Sequence, residues 1–214
     1  MPEFSHLQEE AKQILSGISA TRSNQANLER LKGLRHEVRI ELPNTLPWAQ
    51  GYDFAKQLRQ QLGMNGVKLN SIRALGSALQ LDVEELLKAV SFVLRREAGL
   101  DAVVDVNNRN SPGFALVQRS EPATLFALCR AMFEYLMAPD RQPLIVTRSR
   151  SERQKRNRAF AAEFLVPATA LQDVLPQHDL THEDIDDLAE QFGVSAAVIR
   201  HQIENHGLSN LTNE

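Results

Sequence analysis

Two charged side chains stand on a predicted helix over residues 122–137 that is otherwise apolar. Arg130 and Glu134 are four residues apart, so both side chains project from one face of the helix and can meet. This pair is either an internal ion pair or a binding site in which Arg130 holds an anion or a partner carboxylate in a bidentate contact. The other face is typical of a protein core and consists of Leu125, Leu128, Cys129, Met132 and Leu136.

A basic segment surrounds the start of a second predicted helix, Ser151–Leu165. Residues 148–158 contain six cations against a single acid, Glu152. Because the N-terminal end of a helix is already positive, this concentration of cations requires a counter-charge. One candidate is a phosphate, a nucleotide, a nucleic-acid backbone or a protein partner. The residues predicted to bind it are Arg148, Arg150, Arg153 and Arg156. The other candidate is the acidic segment 179–190, and it is favoured because charge runs usually form solvated or paired faces.

The two helices resemble those of the ImmA/IrrE family of zinc metallopeptidases. In that family a β-hairpin precedes a helix with the motif Phe-x-x-Ala-His-Glu-x-x-His, and a later helix reads Glu-x-x-Ala-Asn-x-Phe-Ala-Ala-x-Leu-Leu-x-Pro. The chain has Phe126 in the first helix and Phe-Ala-Ala-Glu-Phe-Leu-Val-Pro at 160–167 in the second. Similar segments are Pro-Trp-Ala-Gln-Gly-Tyr at 47–52 and Leu-Ala-Glu-Gln-Phe-Gly-Val-Ser at 188–195. The resemblance spans about residues 45–208.

The metal ligands of that family are missing at the matching positions. Matching Phe126 to the family motif places the two histidines at Arg130 and Glu134 and the general base at Ala131. A guanidinium has no lone pair for a metal, and alanine cannot accept a proton from water. Counting back from the 160–167 string places the third ligand at Gln154, with the register open by one or two residues. We therefore expect no zinc and no other cofactor, and a degenerate binding cleft formed by Arg130, Glu134, Gln154 and Asn157.

The resemblance implies a zincin-like α+β fold that is mainly helical with a small antiparallel sheet. The sequence predicts strands at 102–106 and 114–118 as a hairpin, and another strand at 144–147. Residues 83–97 favour one helix, with a short strand at 80–83 as the alternative. Other predicted elements are helices at 6–17, 23–34, 47–62 and 69–79 and a strand at 38–42. The expected organisation is an N-terminal helical extension and strand at 1–44, a degenerate peptidase domain at 45–172 and a C-terminal helix pair at 173–214.

The C-terminal pair has the spacing of a helix-turn-helix. Thr181 and Asp184 form a capping-box pattern, and Gly193 permits the turn before a last helix capped by Ser195. A DNA-reading helix should begin with Arg, Lys, Asn or Gln, whereas this one begins Ser-Ala-Ala-Val. Gln202 stands where an apolar residue is expected. The pair is therefore predicted to be part of the scaffold more than a DNA reader.

Composition excludes several other classes of protein. With 43% hydrophobic and 24% charged residues among 214, the chain is typical of a globular protein and not of a disordered one. It has no apolar run of membrane-spanning length and no secretory signal pattern, and a single cysteine cannot form an internal disulfide. We therefore expect a cytoplasmic protein without membrane contact. The polar helices before residue 35 are consistent with a homodimer.

These observations favour a catalytically inactive, zinc-free protein that works by binding. Because the ImmA/IrrE family acts in phage, mobile-element and stress regulation, often by cutting a helix-turn-helix repressor, the resemblance implies such a regulator as the partner. One alternative is a DNA-binding transcriptional regulator that uses the basic 148–158 helix or the C-terminal pair. Another is a metallo-endopeptidase with non-standard ligands.

Overall fold

The computed structural model describes residues 2–21, 28–38, 45–93, 99–106, 112–137 and 144–208. Its helices are α1 (Pro2–Thr21), α2 (Glu29–Glu37), α3 (Pro47–Gln61), α4 (Ile72–Ala78), α5 (Val83–Ala89), α6 (Glu121–Met137), α7 (Glu152–Leu165), α8 (Ala168–Gln172), α9 (His182–Phe192) and α10 (Ala196–His206). Its strands are β1 (Val90–Val93), β2 (Leu100–Asp105), β3 (Gly113–Val117) and β4 (Leu144–Thr147). The predicted mainly helical α+β class is confirmed. No helix in these ranges is both long enough and apolar enough to cross a membrane.

The four strands form one sheet in the order β1-β3-β2-β4. β2 and β3 form the predicted antiparallel hairpin, and β4 pairs antiparallel with β2. The sheet is mixed rather than purely antiparallel, because β1 runs parallel to β3. The prediction of one helix over 83–97 is wrong at Val90–Val93, which form β1, and residues 94–97 lie outside the described residues. The β-branched and aromatic residues of β1 favour a strand there, and the alternative strand at 80–83 does not form either.

Helices cover both faces of the sheet. α6 packs against β2, β3 and β4, while α1 contacts β2 and β3. Ala11 and Ile14 of α1 lie in a small apolar cluster with sheet residues such as Val103 and Ile145. The predicted end of the first helix at Gly17 is wrong, because α1 continues to Thr21. The apolar face of α1 is buried against the sheet. The predicted cap at Ser23 and most of the predicted strand at 38–42 lie outside the described residues.

α3 and α7 pack against each other closely, and this contact fixes α7. Gly51 of α3 touches the backbone of α7 so tightly that a Cβ there would collide with the carbonyl oxygen of Arg156 and with Ala159. The buried Arg59 guanidinium, also on α3, donates to the carbonyl of Phe164 at 2.8 Å. α7 is therefore held along its length, and its polar residues have fixed positions relative to α6 and the sheet.

The C-terminal pair is joined to this scaffold through a buried amide. The capping box at Thr181 and Asp184 is confirmed, and Gly193 ends α9 with a φ of 65°. Ser195 is the N-cap of α10, as predicted, but its hydroxyl makes no capping hydrogen bond. The fully buried Gln202 donates to Glu163 Oε2 at 3.0 Å and to the carbonyl of Val166 at 2.7 Å. The polar residue that is unexpected in a helix-turn-helix thus attaches α10 to α7.

Candidate functional site

Arg130 lies at the centre of a buried polar network between α6, α7 and the sheet. Its side chain is 4% exposed and makes four hydrogen bonds to groups on β2, β4 and α7. Nε donates to Asn157 Oδ1 at 2.8 Å, and one terminal nitrogen donates to Asp101 Oδ2 at 2.7 Å. The other terminal nitrogen donates to the carbonyl of Thr147 at 2.6 Å and to Gln154 Oε1 at 2.8 Å. The guanidinium therefore donates four hydrogen bonds to acceptors within the protein.

The carboxylate that pairs with Arg130 is Asp101, which the sequence reasoning missed. The pairing of β2 with β4 shifts between Leu100 and Ala102, so Asp101 is the extra residue of a β-bulge. Its second oxygen lies 2.7 Å from Arg119 and 3.3 Å from Arg148. The sequence does show an acid at the start of an apolar strand, which could have pointed to Asp101. The bulge that turns it toward Arg130 cannot be predicted from the alternation of residues along a strand.

Two side-chain amides on α7 connect the charged groups. Gln154 accepts from the backbone N–H of Thr147 at 3.0 Å and donates to the carbonyl of Ile145 at 3.1 Å. It thus binds the outer strand β4 as a peptide group of a neighbouring strand would. Asn157, which is completely buried, accepts from Arg130 and donates to Glu134 Oε1 at 2.8 Å. The structure thus brings all four predicted cleft residues together, with Gln154 meeting Arg130 as the preferred register requires.

Glu134 does not form the expected ion pair with Arg130. Its partner is Arg153, whose Nε donates to Glu134 Oε2 at 2.7 Å, and Asn157 stands between Glu134 and Arg130. The prediction from spacing is wrong because Asp101, on the adjacent strand, offers Arg130 a closer acid. A spacing of four residues places two side chains on one face but does not decide which neighbour each of them binds.

Electrostatics in the network are governed by burial. Loss of solvent lowers the pKa of Arg130 to about 10, and the charge of Asp101 acts in the opposite direction. Arg130 therefore remains a cation at neutral pH. The nearby thiol of Cys129 is also buried, and burial raises its pKa, so it is not a nucleophile.

Two cations of the basic segment have an internal counter-charge, and it does not come from the predicted acidic segment. Arg148 and Arg153 pair with Asp101 and Glu134, whereas no ion pair among the described residues joins 148–158 to the acidic segment 179–190. Arg156 donates to Gln50 Oε1 at 2.7 Å, and Arg150 is exposed. The acidic segment supplies instead the capping carboxylate of α9, Asp184.

A groove of about 410 Å³ lies on the other side of α7. It is bounded by α3, α6, α7 and α10, and a smaller cavity of about 150 Å³ next to Arg130 shares Phe126 and Val198 with it. The groove is lined by Trp48, Tyr52, Phe126, Lys155, Arg158, Ala159, Ala162, Ala197, Val198, His201 and Asn205. Sequence reasoning did not find it, because its walls come from helices that are distant along the chain. The first turn of α10, where the residues that would read DNA in a helix-turn-helix stand, lines both cavities.

The resemblance to metallopeptidases implies zinc, and the residues present do not fit that ion. A zinc site needs at least three converging nitrogen, sulfur or oxygen ligands. Within the described residues no three His, Cys, Asp or Glu side chains are close enough to bind a metal ion. At the matching ligand positions the cationic Arg130 and the neutral amide of Gln154 stand with Glu134, and the position of the general base is the buried Ala131. This arrangement offers neither a coordination set nor a group that activates water.

Part of the chain matches a known family of domains. Residues 135–204 match the model of the IrrE N-terminal-like domain. The match begins one residue after Glu134 and includes α7, α8 and α9 and most of α10. It therefore contains Gln154, Asn157 and the 160–167 string, but not Arg130. None of the curated proteins matches the chain.

Proposed function

We propose that this protein is a member of the ImmA/IrrE family that works by binding and regulation, without holding zinc or hydrolysing peptides; the match of residues 135–204 to the IrrE N-terminal-like domain supports the membership. The observation that carries this proposal is the buried network around Arg130. Every residue that matches a ligand position takes part in it, and each is bound to another part of the chain.

Binding of zinc in this network would be opposed by charge and by burial. A divalent cation would have to enter next to the Arg130 guanidinium, which repels it. Moving Arg130 away would leave the Asp101 carboxylate with two partly exposed arginines as its remaining partners. Because breaking a buried ion pair costs several kcal/mol, the network is expected to persist in the presence of the metal.

The proposed partner is a helix-turn-helix regulator, held without being cut. The partner class follows from the family resemblance, and retention without cleavage follows from the closed network. Reading of DNA by α10 is less well supported, because its start lines the cavities and Arg200 lies 2.9 Å from His182 Nδ1.

A peptidase assay tests the absence of hydrolysis. The full chain is incubated with an unfolded protein substrate, with and without added zinc and with and without a chelator, beside a known zinc metalloprotease as positive control. We expect no cleavage in any of the conditions. Cleavage that the chelator abolishes would overturn the proposal.

Co-purification with a helix-turn-helix regulator encoded beside this protein tests the partner. We expect a complex in which mass spectrometry finds the regulator intact. A regulator that is cut, or one that does not bind, would contradict this part of the proposal.

A further inference from the structure

The groove between α3, α7 and α10 combines aromatic walls with uncompensated cations. Trp48, 43% exposed, and Tyr52 are four residues apart on α3, and Phe126 closes one end from α6. The small side chains of Ala159 and Ala162 line the groove on α7, so they take up little of its volume. The volume of about 410 Å³ is in the range of small-molecule sites, roughly 300–1,000 Å³.

Two cations lie beside these aromatic walls. Lys155 and Arg158 are one turn apart on α7, and within the described chain neither has an ion-pair partner. Arg158 donates only to the carbonyl of Ser149 at 2.9 Å, and its pKa is lowered, mainly by burial. An acid close to the lining, Glu204, lies 3.5 Å from His201 Nδ1 on α10. Asp101 acts on the charge of Arg158 from outside the groove, but no acid among the described residues lines the groove itself, so its lining has an excess of positive charge.

We propose that this groove binds a nucleoside monophosphate, with the base between the aromatic side chains and the phosphate at Lys155 and Arg158. The proposal goes beyond the proposed function, because the residues that line the groove are not those of the buried network around Arg130. A phosphate monoester carries about −1.5 to −2 charges at neutral pH, which matches two adjacent cations better than a single carboxylate does. Stacking on aromatic rings suits any base, and Asn205 offers an amide at the wall.

An extended peptide fits the groove less well. Peptides in clefts beside a sheet are commonly held by hydrogen bonds to the edge strand. None of the described residues that line the groove belongs to a strand, so the groove offers a peptide no strand edge to pair with. The structure thus favours a compact anion over a peptide strand.

Trp48 gives a direct readout of this site, because it is the single tryptophan of the chain. Tryptophan fluorescence of the full protein is titrated with AMP, adenosine, inorganic phosphate and benzoate, each with correction for absorbance, and the AMP affinity is confirmed by calorimetry. We expect saturable quenching by AMP, with adenosine and phosphate each binding at least tenfold more weakly. Equal binding of adenosine, or tighter binding of benzoate, would overturn the proposed ligand class.

Variants locate the site. Lys155→Gln and Arg158→Gln should each weaken AMP about tenfold, since each removes one charge-assisted contact. The matched controls are Lys88→Gln and Arg73→Gln, which remove the same charges from exposed pairs on other helices and should leave the affinity unchanged. Trp48→Leu, measured by calorimetry, should lose at least fivefold through the lost stacking. An affinity that is insensitive to Lys155→Gln and Arg158→Gln, or that falls equally in the controls, would contradict the assignment.

The AMP titration and the peptidase assay test two separate claims. If AMP does not bind and no chelator-sensitive cleavage occurs, the ligand assignment fails and the non-hydrolytic function stands. If AMP binds and chelator-sensitive cleavage also occurs, the function fails and the ligand site stands.

Discussion

Helix α7 has two polar faces, which differ in whether their polar groups are bound within the protein. One face, with Gln154 and Asn157, is buried against α6 and the sheet, and its groups are bound to Arg130, Glu134 and β4. The other face, with Lys155 and Arg158, borders an open groove without an acid of its own. The buried face carries neutral amides and the groove face carries cations, and only the amides are fully bound within the fold.

The comparison shows what holds the buried face of α7 in place. Arg130 supplies the cation there, and side chains and backbone carbonyls supply the acceptors. That face is therefore expected to determine stability. The charged side chains on the groove face contribute little to the stability of the fold, and this face is expected to determine binding.

The largest expected effect is the loss of Arg130. Arg130→Met should lower the free energy of unfolding by about 3–5 kcal/mol, because it leaves Asp101 and the amides of α7 buried with unmatched groups. Arg73→Met is the control, since Arg73 forms an ion pair with Glu84 in which both side chains are about two-thirds exposed. Urea unfolding measures both. If both variants lost the same free energy of unfolding, the claim that the buried face of α7 determines stability would be contradicted.

A smaller loss is expected when Gln154 is replaced. Gln154→Leu should cost about 2–3 kcal/mol, because it removes partners from Arg130 and from the backbone of β4. Hydrogen exchange should also become faster at the amide of Thr147. Gln57→Leu, on the exposed side of α3, is the matched control. Unchanged protection at Thr147 would show that Gln154 does not hold the strand.

The capping box of α9 lies away from both faces of α7 and gives a reference for the free energies of unfolding predicted above. Thr181→Ala removes the capping box of α9 and should cost about 1 kcal/mol at neutral pH. Hydrogen bonds from Thr181, and to a lesser extent His178, keep the pKa of Asp184 below its ordinary 3.8. The carboxylate therefore stabilises the fold above that value, and this contribution is lost as the pH falls through the lowered pKa. The difference between wild type and variant in urea unfolding should shrink in acid; a constant difference would contradict the role of Asp184.

The smallest effect on stability is expected in the groove. Lys155→Gln should change the free energy of unfolding by at most about 0.5 kcal/mol, because the side chain is exposed and supports no internal contact. Urea unfolding beside wild type measures this. A loss comparable to that of Gln154→Leu would mean that the groove charges are structural after all.

The sequence was sufficient for the elements with strong local signals. Regular apolar spacing and caps located α6, α7 and α9, and the turn-rich segment between apolar runs located the β2–β3 hairpin. β1 was missed because four residues that follow a helix are too few to show a strand period. At the site, the motif comparison identified Arg130, Glu134, Gln154 and Asn157. It could not identify Asp101, which depends on a bulge, or the groove, which depends on how α3, α7 and α10 pack.

Elemental metal analysis of the full chain tests the central claim most directly. The protein is purified without a chelator or a polyhistidine tag and is measured before and after incubation with excess zinc and removal of the free metal. Because Arg130 and its partners fill the ligand positions, we predict well under one metal ion per chain in both samples. One zinc per chain in either sample would contradict the claim that this network stands in place of the metal.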